Sequence, residues 1–356
     1  MQFLTLDTEF GNPASQHVYG FTARDAVEQA REQVAAALGA ESAEIIFTSG
    51  ATESDNLAIK GVAHLYQRKG KHIVTMKTEH KAVLDSCQYL EKHGYTVTYL
   101  SPQANGELDI DELRASLRAD TILVSIMHVN NETGVMQDLA RIAAETSSRN
   151  IFLHVDAAQS VGKLPLNVTD LPIDMISIAA HKIYGPKGVG ALYLRKRPRV
   201  RVEPLIHGGG HEQGMRSGTL PTHQIVGLGE ALAIATQERE HDLAHVAVLQ
   251  ESFWSQLREI PNAFVNGEPA ARSPYILNIR FENMIADALI KQMPELALST
   301  ASACQGKGTE GSYVLRAMGL TEQQTKSSLR FSFGRFTTAA DIDTAANVLR
   351  RLFHLK

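Results

Sequence analysis

Short apolar segments alternate with amphipathic helix patterns through the first two thirds of this chain of 356 residues. Runs rich in β-branched and aliphatic residues have the composition of buried strands. They lie at residues 45–48, 72–76, 96–100, 122–126, 151–155, 175–178 and 191–194, and helix patterns occupy 23–38, 54–67, 83–93, 109–118 and 139–148. This alternation is typical of an α/β fold and predicts a large domain with a mainly parallel, seven-stranded sheet.

The last third of the chain has a different order of elements. A long helical pattern at about 223–258, which can accommodate a break, leads into two strand patterns and three helix patterns. The strands are expected at 275–281 and 329–333, and the helices at 286–293, 323–328 and 339–352. This order predicts a smaller α+β domain. We therefore expect a large domain over residues 1–238 and a small C-terminal domain over residues 239–356.

The charges of the chain are nearly balanced, with 35 Lys and Arg against 39 Asp and Glu. A formal net charge of -4 gives no bulk electrostatic reason to bind nucleic acid or an anionic membrane, so direct nucleic-acid binding is not expected. No stretch approaches the roughly 18 apolar residues of a membrane span, and the first residues lack the basic and apolar regions of a signal peptide. We therefore expect a cytoplasmic protein that does not contact the membrane.

The chain has two cysteines, Cys87 and Cys304, which cannot form a disulfide framework or an all-cysteine metal site. Cys87 lies in a helix pattern and is expected to pack in the core. Three glycines follow Cys304 within seven residues, which indicates a mobile surface loop, and reactive groups are commonly found on such loops. The contrast favours Cys304 as a nucleophile.

The segment 48–54 follows a strand and opens a helix. Gly50 permits a tight turn, and the amides of Ala51 and Thr52, with the Thr52 hydroxyl, would point at an anion at the positive end of that helix. Phosphate is the ligand expected at such a site. The alternative is an ordinary Ser/Thr N-cap with Glu53 completing a capping box.

Two further residues lie where strands of the predicted sheet end. Asp156 is placed to bond a cationic ring nitrogen of a cofactor, because ligands of open α/β sheets collect at the carboxyl ends of strands. The alternative is an Asp turn or a helix cap. Lys182, flanked by small residues and followed by a glycine-rich turn, is suited to forming a Schiff base, and the alternative is a solvated loop lysine.

Two other patterns carry weaker signals. The three glycines between His207 and His211 make a helix implausible there, so the two imidazoles are not expected to share a metal. The run 195–201 has five basic residues in seven positions. A solvated surface is the usual explanation of such a run, and the alternative is docking of an acidic partner or RNA.

Taken together, several motifs resemble those of cysteine desulfurases of the NifS/IscS type, which are class-V aminotransferases of pyridoxal-phosphate fold type I. The motifs lie at 48–56, 79–83, 127–134, 154–161, 181–190, 207–221 and 301–304. They cover essentially the whole chain in one order. The resemblance implies a homodimeric enzyme that uses pyridoxal 5'-phosphate to convert L-cysteine to L-alanine, leaving the sulfur on an enzyme cysteine as a persulfide.

The resemblance also implies how the large domain holds the cofactor. Lys182 would bind it covalently, His80 would stack on its ring and transfer protons, and Asp156 would pair with the protonated ring nitrogen. The other implied cofactor ligands are Gln159 at the ring oxygen, Ala51, Thr52 and His181 at the phosphate, Asn131, and Thr219 of the partner subunit. The family commonly has a phosphate-binding serine where this chain has Ala179.

For the substrate, the resemblance implies that Asn131 and Arg330 clamp the carboxylate, since a guanidinium fork matches a carboxylate bidentately. Cys304, on the loop of the small domain, would take the sulfur. A scaffold or relay protein would then accept it, for iron–sulfur cluster assembly or nucleic-acid sulfur modification.

The resemblance further implies that the chain starts after the family's usual N-terminal segment and ends before its usual C-terminal tail. Three alternative functions remain open at this point. Two are other enzymes of the same fold type, a selenocysteine lyase and an aminotransferase, and the third is an inactive sulfur-relay homologue.

Overall fold

The computed structural model describes residues 10–300 and 311–353. The chain divides into two compact units. The first comprises the described residues up to Leu100 together with Ile110–His128 and Asp138–Arg239. The second comprises Ser101–Asp109, Val129–Gln137 and the described residues from Glu240 onward.

The first unit is built on a seven-stranded sheet with the order β1-β7-β6-β5-β4-β2-β3. Its strands are β1 (Ile45–Thr48), β2 (His72–Met76), β3 (Thr96–Leu100), β4 (Thr121–Met127), β5 (Phe152–Asp156), β6 (Met175–Ala179) and β7 (Gly190–Leu194). The pairs from β6 through β5, β4 and β2 to β3 are parallel, whereas β7 is antiparallel to both β6 and β1. The predicted α/β fold with a mainly parallel, seven-stranded sheet is therefore confirmed.

Helices precede, connect and follow these strands. They are α1 (Val18–Leu38), α2 (Ala51–Leu65), α3 (Lys81–Glu91), α4 (Ile110–Ser116), α5 (Leu139–Ser147) and α6 (Thr222–Gln237). Every residue of β1, β2, β4, β6 and β7 is buried, as expected for strands covered on both faces. β3, at one edge of the sheet, is only partly buried, whereas β1 at the other edge is fully buried.

Two helices of the first unit approach each other closely. A Cβ added to Gly229 of α6 would stand 2.7 Å from the Cα of Ala30 in α1. A larger residue at position 229 would push the two backbones apart, so this glycine is required by packing.

The second unit carries a four-stranded antiparallel sheet in the order β10-β11-β9-β8. Its elements are α7 (Arg239–Leu257), β8 (Ala263–Val265), β9 (Ile276–Phe281), α8 (Ala286–Gln292), β10 (Ser299–Thr300), α9 (Tyr313–Ala317), α10 (Glu322–Lys326), β11 (Ser328–Ser332) and α11 (Ala339–Leu352). The predicted long helix at 223–258 is two helices, α6 and α7, which meet at Glu238. Sequence patterns did not indicate β8, β10 or α9.

Aromatic side chains form the centre of the second core. The ring of Phe253 lies 4.9 Å from that of Phe331 and 5.7 Å from that of Phe333, centroid to centroid. These are favourable separations for tilted and edge-on aromatic pairs. The contacts attach α7 to β11 and to the residue that follows it.

The second unit includes two segments that precede its main part in sequence, 101–109 and 129–137. The later segment packs on β9 and the residues before it, because Ser273 N donates to Gly134 O at 2.9 Å and Asn278 Nδ2 donates to Glu132 O at 3.0 Å. The domain boundary between residues 238 and 239 stays a prediction. No helix within the described ranges combines the length and apolar content needed to cross a membrane.

Candidate active site

Asp156 is the last residue of β5, at the carboxyl end of a parallel strand, and its side chain is buried. Its Oδ1 accepts a hydrogen bond from Ala158 N at 2.9 Å. Burial raises the pKa of Asp156, whereas the Ala158 amide and the nearby basic side chains of His80 and Lys182 oppose that rise. The carboxylate therefore closes a turn, as the alternative interpretation proposed, and also lies within the electrostatic reach of both basic residues.

Lys182 ends a short 3-10 turn, Ala180–Lys182, that follows β6. Its side chain is exposed, and so is that of His181. Burial and the charges of Lys182 and Lys187 lower the pKa of His181. The strand before this turn ends at Ala179, which pairs with Gly190 and brings no hydroxyl to the site.

His80 follows β2 and caps α3. Its Nδ1 accepts a hydrogen bond from Ala82 N at 3.2 Å, so the proton of the neutral ring lies on Nε2. Because β2, β5 and β6 belong to the parallel part of the sheet, their carboxyl ends lie at the same edge. The structure thus brings His80, Asp156 and Lys182 to one edge.

The segment between β1 and α2 has the geometry of an anion site. The N-cap of α2 is Gly50, with φ 149°, so no serine or threonine side chain caps this helix. The first amides of a helix have no partner within it, and those of Ala51 and Thr52 are therefore available to an anion. The alternative of an ordinary Ser/Thr N-cap is wrong here.

A close contact between two glycines shapes this segment. A Cβ on Gly190 would stand 2.6 Å from the Cα of Gly50, a distance that real Cβ atoms essentially never show. Only glycine at position 190 lets β7 lie against the turn before α2. The distance between β7 and this turn is therefore determined by backbone contact rather than by side chains.

Thr219 lies exposed on the segment 207–221, which two ion pairs hold. Arg31 donates from Nη1 and Nη2 to the two carboxylate oxygens of Glu212, each at 2.8 Å, and both side chains are buried. Arg216 Nε donates to Glu53 Oε1 at 2.9 Å. The position of Thr219 therefore depends on contacts that sequence reasoning missed.

His211 in the same segment accepts a hydrogen bond at Nδ1 from Gly218 N at 3.3 Å. Within the described part of the chain, no group of three or more His, Cys, Asp or Glu side chains could hold a metal ion.

Three buried polar residues near Asp156 were also missed. His154 lies between Ser125 Oγ at 2.8 Å and Ser177 Oγ at 2.9 Å, and its Nε2 is 3.6 Å from Asp55 Oδ1. Burial, with the charge of Asp156, raises the pKa of both Asp55 and Glu79 well above the ordinary range. Asp55, Glu79 and His154 all lie in motifs already singled out, but sequence reasoning assigned no role to their side chains.

Asn131 and Arg330 belong to the second unit, and the structure brings them together. Arg330 lies in β11, and its Nη1 donates to the backbone oxygen of Asn131 at 3.0 Å. Asn131 Oδ1 and Arg330 Nε are both shielded from solvent and find no hydrogen-bond partner among the described residues. A buried polar atom without a partner is costly, so this pair is suited to a polar ligand such as a carboxylate.

The remaining predictions concern Gln159, the basic run and the cysteines. Gln159 is partly buried just after β5. In the basic run, Arg195 pairs with Asp174, whereas the other four basic side chains are exposed.

Cys87 is fully buried, and burial raises the pKa of its thiol to about 12, which confirms it as a packing residue. Cys304 lies outside the described residues.

Comparison with known proteins gives the same family at three levels. Residues 4–344 match the family model of the class-V aminotransferases. A cysteine desulfurase IscS from Klebsiella pneumoniae subsp. pneumoniae is 55% identical over 352 residues, which are 99% of this chain and 87% of that protein. Among solved structures, a NifS-like protein has a TM-score of 0.91 at 35% identity, covering 98% of this chain and 93% of its own.

A second solved structure, SspA in complex with cysteine, has a TM-score of 0.82 at 39% identity and covers 93% of each chain. The family depends on pyridoxal phosphate. The identities extend over nearly the whole chain, and the fold and the order of motifs agree with them. This chain therefore belongs to the class-V aminotransferases and, within them, to the cysteine desulfurases of the NifS/IscS type.

Proposed function

We propose that this protein converts L-cysteine to L-alanine and transfers the sulfur to its own Cys304 as a persulfide. The observation that carries the proposal is the shared sheet edge at which His80, Asp156 and Lys182 lie, in a chain 55% identical to a cysteine desulfurase. The bound cysteine named in the SspA structure supports the choice of substrate, as a property of that relative.

The residues at this edge fit pyridoxal phosphate. The turn at Gly50 offers free helix amides from Ala51 and Thr52 to a phosphate, and the Thr52 hydroxyl and His181 would add to them. Asp156 offers a buried carboxylate to a ring nitrogen. His80 would lie against the ring, and Gln159 would bond its oxygen.

When bound, pyridoxal phosphate withdraws electrons from the Cα of an amino acid and makes its proton easier to remove. Asp156 would hold a proton on the ring nitrogen by remaining ionised beside it. The amine of Lys182 would take the Cα proton and later return one. His80, whose Nε2 carries the available proton, would assist that transfer.

Asn131 and Arg330 would orient the substrate through its carboxylate. Their two buried polar atoms without a partner, Asn131 Oδ1 and Arg330 Nε, support this role. A guanidinium and an amide together can satisfy both oxygens of a carboxylate. A substrate held in this way would keep its Cα and sulfur in fixed positions.

The sulfur step balances without a further reactant. The thiolate of Cys304 attacks the substrate sulfur, a new S–S bond forms, and the bond between Cβ and sulfur breaks. The electron pair of that bond stays on the carbon side, where protonation completes L-alanine. The enzyme is left with a persulfide on Cys304, ready for an acceptor protein.

The proposal includes a cytoplasmic homodimer that delivers sulfur to a scaffold or relay protein. In the dimer, Thr219 of the partner subunit would contact the cofactor phosphate. The exposure of Thr219 on an anchored segment supports this arrangement. Large apolar side chains exposed near the start of α1, Val18, Tyr19 and Phe21, also support a subunit contact.

The test is an assay of alanine and sulfide from L-cysteine with a reductant, with keto acids and selenocysteine monitored beside them. Cys304→Ala should keep the cofactor absorbance and lose sulfide formation, and Lys182→Ala should lose both covalent cofactor binding and turnover. Appreciable sulfide formation by Cys304→Ala would overturn the nucleophile assignment. Transamination without sulfide would favour an aminotransferase instead.

A further inference from the structure

The two ends of the segment that contains Cys304 are attached beside the residues proposed to bind the substrate carboxylate. Before the segment, Ser299 of β10 pairs with Arg330 of β11. After it, the hydroxyl of Ser312 donates a hydrogen bond to the carboxylate of Glu132, the neighbour of Asn131 in sequence. Both attachments lie within the second unit.

The attachment at Ser312 is fully enclosed. Ser312 and Glu132 are 1% and 3% exposed. The same Ser312 oxygen accepts a hydrogen bond from Leu315 N at 3.1 Å, so it also caps α9. The hydroxyl therefore donates its single proton to Glu132 and accepts the helix-capping hydrogen bond through a lone pair. Together the two hydrogen bonds fix the hydroxyl in one orientation.

The residue before Ser312 is fixed as well. Arg316 Nη1 donates to Gly311 O at 2.8 Å. A Cβ on Gly311 would overlap the Thr325 hydroxyl of α10, so the backbone passes directly against that side chain. Residues 311 and 312 therefore have a defined place in the second unit.

Glu132 is held equally firmly to the proposed carboxylate clamp. Its amide donates to Asn130 Oδ1 at 2.9 Å, and its carbonyl oxygen accepts from Asn278 Nδ2 of β9 at 3.0 Å. The next residue along the chain toward the N-terminus, Asn131, accepts from Arg330. A displacement of Ser312 would thus be transmitted to the loop that carries Asn131.

A buried carboxyl such as that of Glu132 is unusual for a contact that only supports the fold. Burial raises the pKa of this carboxyl to about 7, while the Ser312 hydroxyl and the charge of Arg330 oppose the rise. Arg330 on β11 is the charged group that acts on it, and Ser312 is the hydroxyl that faces it from α9. An amide would fill the same space without the desolvation penalty of a carboxylate.

We infer that Glu132 is a positioning residue for sulfur transfer: its carboxylate holds Ser312, and with it the end of the segment containing Cys304, beside Asn131 and Arg330. This inference rests on the proposed function, in which Cys304 receives the sulfur of a substrate that Asn131 and Arg330 bind. Glu132 affects the transfer of sulfur to Cys304, which follows removal of the Cα proton. Removal of the Cα proton depends on other residues, those of the sheet edge in the first unit.

The experiment compares Ser312→Ala, Ser312→Thr and Glu132→Gln with the wild-type holoenzyme in single-turnover reactions with L-cysteine. Two rates are measured: exchange of the Cα proton for deuterium, and appearance of the persulfide on Cys304 by mass spectrometry. Ser312→Ala is expected to slow persulfide formation about tenfold or more, because small misplacements of a reacting group have large effects. Cα exchange should stay near the wild-type rate.

Two comparisons separate positioning from loss of structure. Ser312→Thr retains the hydroxyl and should restore most of the persulfide rate. Thr321→Ala removes the matched N-cap hydroxyl of α10, which accepts from Gln324 N at 3.3 Å, and should leave persulfide formation unchanged. Glu132→Gln keeps the shape of the contact, removes its charge, and should slow the persulfide step less than Ser312→Ala.

The outcomes are distinguishable. If the wild-type protein forms no persulfide from L-cysteine, the proposed function is wrong, and this inference falls with it. If the wild-type protein forms it and Ser312→Ala matches the wild-type rate, only the inference is wrong. An equal loss of Cα exchange and persulfide formation in Ser312→Ala would also overturn it.

Discussion

The Nε of Arg216 donates a hydrogen bond to the Glu53 carboxylate at 2.9 Å, across 163 residues of sequence. Glu53 lies in the first turn of α2, next to Thr52, and Arg216 lies three residues before Thr219. Burial alone would raise the pKa of Glu53, but the hydrogen bonds from Arg216 and Ser49 lower it. One contact thus connects the proposed phosphate site to the segment proposed to serve the partner subunit.

We expect Arg216→Gln to weaken cofactor binding about tenfold. A hydrogen bond to a charged group contributes about 1.5–3 kcal/mol, and its loss frees the start of α2 from the segment 207–221. The cofactor dissociation constant is measured by absorbance after removal and readdition of pyridoxal phosphate. Asp242→Asn is the control, because it removes a comparable ion pair, with Arg335, in the second unit. Equal weakening in both variants would contradict the prediction.

Gly190→Ala should destabilise the first unit and disturb the proposed phosphate site. Its Cβ would stand 2.6 Å from Gly50 Cα, and relieving such an overlap costs about 1–3 kcal/mol or more. Urea unfolding and cofactor absorbance measure the two effects. In Gly210→Ala the left-handed backbone at φ 74° costs about 1 kcal/mol, but no described atom lies within 4 Å of the new Cβ, so cofactor binding should be retained. Normal cofactor affinity in Gly190→Ala would contradict the account.

Asp156→Asn should fold normally and lose turnover by about two to four orders of magnitude. The amide oxygen can still accept the bond from Ala158 N, so the turn after β5 is preserved. The variant cannot supply the negative charge expected beside the ring nitrogen. The initial rate of alanine formation and the thermal midpoint are measured together. Asp138→Asn, which changes an exposed helix-capping carboxylate at α5, should leave turnover unchanged.

Glu132→Gln should become progressively more stable than the wild-type protein as the pH rises from 4.5 to above 7. The folded-state pKa of about 7 lies above the ordinary value of 4.5, so the folded state binds the proton more tightly. The stability from this group is complete below pH 4.5 and is lost as the pH rises through 7. The full difference is roughly 3 kcal/mol.

Urea unfolding of both proteins at several pH values measures this difference. A difference in unfolding free energy that does not vary with pH would show that Glu132 titrates at its ordinary pKa. Together with the persulfide rates, a positive result would show that this carboxylate serves activity at the expense of stability.

Most strands of the large sheet could be predicted from sequence because all of their residues are buried. The predicted segment 72–76 coincides with β2, and 122–126 differs from β4 by one residue at each end. The start of α1 was predicted five residues late, at 23 rather than Val18. Residues Val18–Thr22 contain a glycine and β-branched side chains, which are weak helix formers, and the helix starts there because His17 Nδ1 accepts from Gly20 N.

The smaller elements depend on contacts that a local pattern does not contain. β10 has two residues and exists because Ser299 and Thr300 pair with β11. α9 begins at a serine that the buried carboxylate of Glu132, 180 residues earlier, holds in place. Local motifs identified Asp156, Lys182 and Arg330 as candidates. The ion pairs Arg31–Glu212 and Arg216–Glu53 join residues far apart in the sequence, so no local motif could indicate them.

The most direct test of the central claim is mass spectrometry of the purified holoenzyme after brief incubation with L-cysteine, followed by reduction of the cofactor linkage and proteolysis. We predict that the cofactor is found on the peptide containing Lys182, and that one additional sulfur atom is found on Cys304 and not on the buried Cys87. A persulfide on Cys87, or no added sulfur on either cysteine while alanine accumulates, would contradict the account.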